Sequence, residues 1–380
     1  MTDPSLSPEE LHFRDAVRAF VEREIKPHAA RWDQEERYPK ELFQQFGALG
    51  WLGAGFPVEF GGSGGGSTLY ALMCAELARG SAAIALGLYV HTALAAAAIL
   101  HLGDAEQKQR YLPDMLAGGK VGCWAYAEAG AGADISCVTT RAVRDGDHYV
   151  ISGAKLYITN SPFADYLVIV ASTAPDRGLK GMSLFIVERA TTDVRIGAPL
   201  KKLGMGASEM AEIVFDNARV PAQNLLGAQH LGFVQALKVL TLGRIASAAF
   251  GVGLGQAALE EAMSYAKART QGGEPLTRHQ FVRFTVADMA ARLEAAWRLT
   301  LHAARVADTG AAHDREAAMA KLFATETCTY VCERALHLCG AYGYMREAAA
   351  QRFYRDCKVL EIGEGTSEIQ RETIFRNLVT

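Results

Sequence analysis

Val359-Leu360-Glu361-Ile362-Gly363-Glu364-Gly365-Thr366-Ser367-Glu368-Ile369-Gln370 sets one carboxylate, that of Glu364, between two glycines near the C-terminus. Glycine admits backbone conformations closed to other residues and lets a ligand approach the chain closely. Leu360, Ile362 and Ile369 flank the turn and predict that it is partly buried. A carboxylate in such surroundings has its charged form disfavoured and its pKa raised, which suits proton transfer. On spacing alone the default is plainer: Thr366 and Ser367 are good N-caps for a last helix over 368–378. The rest of the chain decides between the two.

A chain of 380 residues, half of them hydrophobic, is enough for a large core and more than one domain. A net charge of -3 gives no electrostatic case for nucleic acid or for anionic membrane surfaces. Residues 1–10 are polar and lack the basic-then-apolar plan of a signal peptide, so a cytoplasmic address is the expectation. The most apolar run, 82–102, carries Tyr89, His91, Thr92 and His101 and reads as a buried helix rather than a membrane span. The seven cysteines form no Cys-x-x-Cys pair, as expected of reduced thiols. His91, His101, His302 and His313 share no helical face with carboxylates, so no metal site is expected.

The chain divides into helices, strands, then helices. Residues 1–120 read as a helical domain that starts on Ser7-Pro8-Glu9-Glu10, a capping box with proline in the first turn. Gly61 to Ser67 is glycine-rich but follows no strand and lacks a Lys-Ser/Thr ending, so it reads as a connector. From 121 to 230 short alternating runs predict a small domain of antiparallel strands, with a hairpin at Asp145-Gly146. Three long periodic segments, 233–270, 275–307 and 314–339, then predict an antiparallel bundle over 231–380. Gly251, Gly253 and Gly255 lie inside the first of these and read as close-packing positions, not a dinucleotide fingerprint.

An ordered series of local motifs resembles the acyl-CoA dehydrogenase family across essentially the full chain. Trp124-Ala125-Tyr126-Ala127-Glu128-Ala129-Gly130-Ala131-Gly132-Ala133-Asp134 is similar to the family's first flavin segment, and Gly153 to Asn160 to its second. Gly243-Arg244, Arg269 with His279-Gln280, Gly340-x-x-Gly343-Tyr344, Tyr354-Arg355-Asp356 and Glu364-Gly365-Thr366-Ser367-Glu368 follow in the family's order. The fold this implies is mainly α with a central small β domain: an N-terminal helical domain, a middle antiparallel β-barrel or sandwich, and a C-terminal four-helix bundle.

The resemblance also implies FAD-dependent α,β-dehydrogenation of an acyl-CoA. Glu364 would take the α proton, its backbone N–H would stabilise the thioester oxygen, and flavin N5 would take the β hydride. The family's second base location, on the long helix, is Gly243 here, which cannot serve. Cofactor contacts carry over to Trp124, Tyr126, Ala127, Gly132, Ala133, Tyr157, Ile158 and Thr159. Others carry over to Arg269, His279, Gln280, His337, Gly340, Ala341, Thr366 and Glu368. Ala133, Arg244, Gly363 and Gly365 would border the acyl chain or its carrier. An electron-transfer flavoprotein is the implied acceptor and a homodimer or homotetramer the implied assembly, in fatty acid or branched-chain amino acid catabolism.

Departures from the family pattern bear on cofactor and substrate. Thr, Pro and Ser of the first flavin segment are Ala127, Ala129 and Ala133, removing two hydroxyls worth ~1 kcal/mol each as hydrogen bonds. Gly272 replaces a phenylalanine, His337 a glutamine, Ala341 a glycine and Thr241 an aspartate. Gly363 replaces a tyrosine beside the base, which opens space for a branched or bulky acyl chain. Two other readings share the motifs: an acyl-carrier-protein thioester dehydrogenase or acyl-CoA oxidase of a biosynthetic pathway, and a non-catalytic flavin-containing binding protein of the same fold.

Overall fold

The computed structural model describes residues 5–379. Met1–Pro4 and Thr380, which fall within the outer bounds drawn from sequence, lie outside the described residues. The N-terminal part comprises α1 (Pro8–Phe20), α2 (Ala29–Glu35), α3 (Glu41–Ala48), α4 (Gly66–Gly80), α5 (Ala82–Tyr89), α6 (Ala97–Leu102) and α7 (Ala105–Leu116). Ser7 and Glu10 close the capping box that starts α1. α5 and α6 form one continuous rod through a π-helical stretch, Val90–Ala96. This rod and the later Gly232–Ala268 helix are long and apolar enough to cross a membrane, yet both are mostly buried within the protein. The Gly61–Ser67 connector ends where Asp308 accepts hydrogen bonds from Ser67 N (2.5 Å) and Thr68 N (3.0 Å), capping α4 from across the molecule.

The middle part comprises β1 (Gly122–Ala125), β2 (Arg141–Asp145), β3 (His148–Thr159), β4 (Tyr166–Ser172), β5 (Met182–Glu188), β6 (Val194–Ile196), β7 (Met210–Pro221) and β8 (Leu225–Leu226). They form one sheet in the order β6-β7-β3-β2-β4-β5-β8, with β1 added to β4. The expected all-antiparallel pairing needs one correction: β1 runs parallel to β4, and β2 meets β4 in parallel at Arg141 and Ser172. No hairpin can join β1 to a parallel partner, so nothing local in the sequence announces this pairing. The period of two along β4 sorts its side chains: Val168 and Val170 join the main helical core, while Leu167, Ile169 and Ala171 join a second core on the other face.

The C-terminal part comprises α8 (Gly232–Ala268), a short hairpin of β9 (Thr270–Gln271) and β10 (Glu274–Pro275), then α9 (Gln280–Asp308), α10 (Asp314–Gly343), α11 (Ala349–Ile362) and α12 (Ser367–Val379). The sequence places the hairpin inside the ends of two helices; Arg269 instead leaves α8 with an extended backbone. Gly253 shows why this helix can be buried so deeply, since a Cβ there would lie 2.0 Å from the Ala75 carbonyl oxygen of α4. One hydrophobic core runs through both helical parts and one face of the sheet, so the parts meet around a shared interior. His91 helps to join them: its Nδ1 accepts from Gly122 N at 2.9 Å and its Nε2 lies 3.0 Å from the Met115 carbonyl. Burial pushes its pKa down to about 4, so it is a neutral tether between the rod and β1. No cluster of His, Cys, Asp or Glu suited to a metal occurs among the described residues.

Candidate active site

Between α11 and α12 the chain makes the turn that carries Glu364. Gly363 ends α11, its N–H bonded to the Val359 carbonyl, and Thr366 Oγ1 accepts from Ile369 N at 3.4 Å to start α12. The N-cap reading of this stretch is therefore correct, and it coexists with a second feature. Glu364 itself has φ 58°, a left-handed conformation that is uncommon for a non-glycine residue and that marks constrained sites. Gly365 follows with φ 81°.

The side chain turns inward. Glu364 Oε2 is shut off from solvent and has no hydrogen-bond partner, although the residue as a whole is only half-buried. Burial raises the pKa of its carboxyl; the Tyr89 hydroxyl, Lys321 and Arg244 pull it the other way. Tyr89 comes from α5, Arg244 from α8 and Lys321 from α10, so these helices converge on one carboxylate. The Tyr89 hydroxyl and the Arg244 Nε are likewise buried without a partner. Three such buried atoms, from Glu364, Tyr89 and Arg244, are unusual, because unpaired polar groups in protein interiors are costly and few.

The turn is held from beneath. Gln370 Nε2 donates to the Glu364 carbonyl at 3.0 Å and to the Gly365 carbonyl at 2.9 Å. The Lys321 ammonium donates to the same Gly365 carbonyl at 2.7 Å. Glu361 is occupied elsewhere, with Thr329 and Lys358. Gly363 leaves open space: a Cβ there would meet only the Val359 carbonyl, at 3.5 Å. Glu368 is exposed, and its own backbone N–H and Thr366 hold its carboxyl below the usual range.

A second group of predicted residues lies on β1, β3 and the loop after β1. Glu128 binds this loop to the sheet. Its carboxylate pairs with the Lys155 ammonium at 2.8 Å and accepts from Thr139 N at 2.7 Å and Thr140 N at 3.1 Å. Burial favours the neutral acid, but Lys155 and these donors hold Glu128 down to about 2. Burial also draws Lys155 down to about 8, against the pull of Glu128. Leu156 N donates to the Ala127 carbonyl at 3.0 Å, completing the attachment. The register of β3 against β7 shifts between Lys155 and Ile158, and within that bulge Tyr157 has φ 62° and is 61% exposed. Ile158 and Thr159 are buried beyond it, Tyr126 stacks on Trp124 at 6.0 Å, and Gly132 and Ala133 are exposed.

This surface fits a planar, hydrogen-bonding ring system such as a flavin. The Trp124 indole N–H is buried without a partner, and Tyr157 presents an aromatic ring from a backbone conformation held only by the bulge. Ala127 and Ala133 have only backbone polar groups to offer, so those contacts depend on N–H and C=O alone.

The third group is apart from the first two. Arg269, Gln280, His337, Gly340 and Ala341 are exposed, with His279 half-buried, where α8 ends, α9 begins and α10 kinks at Gly340. Phe281 meets His337 edge-on at 6.4 Å and Tyr342 stacks on Tyr265 at 5.4 Å, which joins the three helix ends. These residues are carried by different elements from Trp124 and Tyr157, and none of them surrounds Glu364. Sequence reading missed Tyr89, Lys321 and Gln370. A lysine inside an alanine-rich helix was the available signal, since buried lysines are rare.

Family models match nearly the whole chain: "Acyl-CoA dehydrogenase, N-terminal domain" over 7–119, "middle domain" over 123–218 and "C-terminal domain" over 230–379. An acyl-CoA dehydrogenase of Bacillus subtilis is 39% identical over 374 residues, 98% of this chain and 99% of the relative. Butyryl-CoA dehydrogenase from Megasphaera elsdenii superposes with a TM-score of 0.97 at 34% identity, covering 100% of both chains. A prolyl acyl carrier protein oxidase superposes with a TM-score of 0.95 at 29% identity, covering 99% of this chain and 100% of that one.

Proposed function

Because the chain belongs to the acyl-CoA dehydrogenase family, whose members are FAD-dependent oxidoreductases acting on CH–CH groups, we propose that it oxidises an acyl-CoA to the trans-2-enoyl-CoA with Glu364 as base. The observation that carries this reading is the Glu364 carboxylate itself: buried, unpaired at Oε2, and presented by a strained turn.

A free carboxylate deprotonates a carbon acid poorly, because water stabilises its charge. Removing water from Oε2 raises its basicity and strengthens every dipole nearby. The Tyr89 hydroxyl, Lys321 and Arg244 oppose that effect by stabilising the charged form of the base. The Glu364 N–H, in the same strained turn, donates to the thioester oxygen as charge builds there. FAD, when bound, supplies the acceptor for the β hydride. Trp124, Tyr126 and Tyr157 to Thr159 hold and orient it, with the backbone at Ala127, Gly132 and Ala133. Arg269, His279, Gln280, His337, Gly340 and Ala341 would hold the cofactor of a second copy, in a cytoplasmic homodimer or homotetramer, and Thr366 and Glu368 would bind near its adenosine end. Reduced enzyme passes its electrons to an electron-transfer flavoprotein.

The acyl chain is bounded by Gly363, which leaves space, and by Tyr89, which fills it opposite Gly243. A short or branched acyl group suits that shape. A carrier-protein thioester in place of CoA is the second reading, favoured by the hydroxyls missing at Ala127 and Ala133. Anaerobic mixing of the FAD-loaded protein with short, branched and long acyl-CoAs, and with matching carrier-protein thioesters, tests both. Loss of visible flavin absorbance with a short or branched acyl-CoA is the expected result. Bleaching by none of them refutes the dehydrogenase reading, and bleaching by carrier-protein thioesters alone supports the second.

A further inference from the structure

We propose that Lys321 is the positioning residue of the base: a buried ammonium that fixes the Gly365 carbonyl and keeps the adjacent Glu364 carboxylate charged. The proposal rests on the reading of Glu364 as base and deepens it.

Lys321 lies on α10 with 0% of its surface exposed. Its bond to the Gly365 carbonyl, 2.7 Å, is the one hydrogen bond its ammonium makes among the described residues, and no carboxylate there pairs with it directly. An ammonium removed from water without a close counter-ion is costly, and an apolar side chain of similar length would fill the same space without that cost. Anchoring the turn does not explain it. Gln370, also fully buried, already donates to both the Glu364 and Gly365 carbonyls and brings no charge. What Lys321 adds is therefore the charge itself. The largest attraction acting on it comes from Glu364, opposed by Arg244 and assisted by Glu361 and Glu326. Glu361 is already engaged by Lys358 and Thr329, and Glu326 by Arg371. Facing Glu364 in turn are Tyr89 from α5, Arg244 from α8 and Lys321 from α10. Arg244 stands toward Asp314 as well as Glu364, which leaves Lys321 as the cation whose main partner is the base.

The pair Lys321 and Gln370 separates charge from anchoring, since both hold the same carbonyl. The experiment follows the exchange of acyl-CoA α protons into deuterated water, catalysed by FAD-loaded protein, as a function of pH. Lys321→Met should move the acid limb of the exchange rate up by about one pH unit, giving about a tenfold loss below the limb and little loss above it. Gln370→Leu should lower the rate at every pH and leave the limb in place. Should Lys321→Met not accumulate as folded protein, Lys321→Gln, which keeps a donor but no charge, serves the same comparison. A limb that stays put in the neutral variants, or that moves equally in Gln370→Leu, overturns the proposal. Glu364→Gln, run alongside, isolates the premise: exchange at the wild-type rate in that variant refutes the base assignment and not merely the role of Lys321.

Discussion

Gly243 and Tyr89 meet so closely that the absence of a side chain at one position makes room for the hydroxyl of the other. A Cβ on Gly243 would lie 2.4 Å from the Tyr89 hydroxyl and 3.0 Å from Glu364 Oε2. Gly243→Ala should therefore lower Tm, by about 1–3 kcal/mol of overpacking, and displace the carboxylate enough to lower kcat. Tyr89→Phe removes the nearest atom of the clash, so the double variant should recover part of the lost Tm. If Tyr89→Phe gives no recovery, the clash is not the cause of the loss.

Glu364→Gln replaces a buried group whose folded pKa lies above the ordinary 4.5. A carboxyl raised in this way favours the folded state only while it is protonated. That contribution fades as pH rises from 4.5 through the raised folded value. The glutamine variant should thus gain Tm relative to wild type as pH increases, while losing turnover by several orders of magnitude. Parallel melting of the two proteins from pH 4 to pH 8 checks the sign (about the range over which carboxylates and histidines titrate); a gap that narrows with pH contradicts it.

Lys155→Met leaves the Glu128 carboxylate buried beside a neutral side chain. Breaking a buried pair in this way costs about 3–5 kcal/mol, more than replacing both members. Denaturant melts of Lys155→Met, Glu128→Gln and the double variant should show the double variant more stable than Lys155→Met. Glu128 has its folded pKa held down to about 2 against 4.5 for the free group, so its contribution is complete above 4.5 and is lost as pH falls toward 2. FAD retention should fall together with stability, since the pair binds the 126–134 loop to β3.

Asp308→Ala removes the cap that α9 provides to α4 at the glycine-rich connector. Three bonds are lost, from Ser67 N, Thr68 N and Thr68 Oγ1. The expected effect is about 1–2 kcal/mol of stability. The Asp308 carboxylate bonds to Ser67 and Thr68 and to none of the cofactor or substrate residues named above, so KM for the acyl thioester should not change. A rise in KM with Tm unchanged would contradict a purely structural role.

Part of the middle sheet was readable because some strands announce themselves locally: the hairpin expected at Asp145-Gly146 forms one residue later, at Gly146-Asp147, and the runs read at 148–151 and 209–215 fall at the starts of the longer β3 and β7. The parallel addition of β1 to β4 was not, since Gly122 and Tyr166 pair across a long crossover in which no local turn joins the two strands. The same contrast holds in the site. Gly363-Glu364-Gly365 is visible as a motif, whereas Tyr89, Gln370 and Lys321 carry no signature that ties them to it.

By itself the sequence determined the succession of helices, strands and helices, the turn with its one carboxylate, and the cap that Thr366 sets on the last helix. Periodicity, capping and turn chemistry act over a few residues, so they are written in adjacent letters. Folding alone brings a hydroxyl from α5, a guanidinium from α8 and an ammonium from α10 around that carboxylate, with Gly243 leaving room for the hydroxyl. Those effects arise from burial and from distances between residues far apart in the chain. The charge state of a group depends on which neighbours share its low-dielectric surroundings, and folding assembles that set.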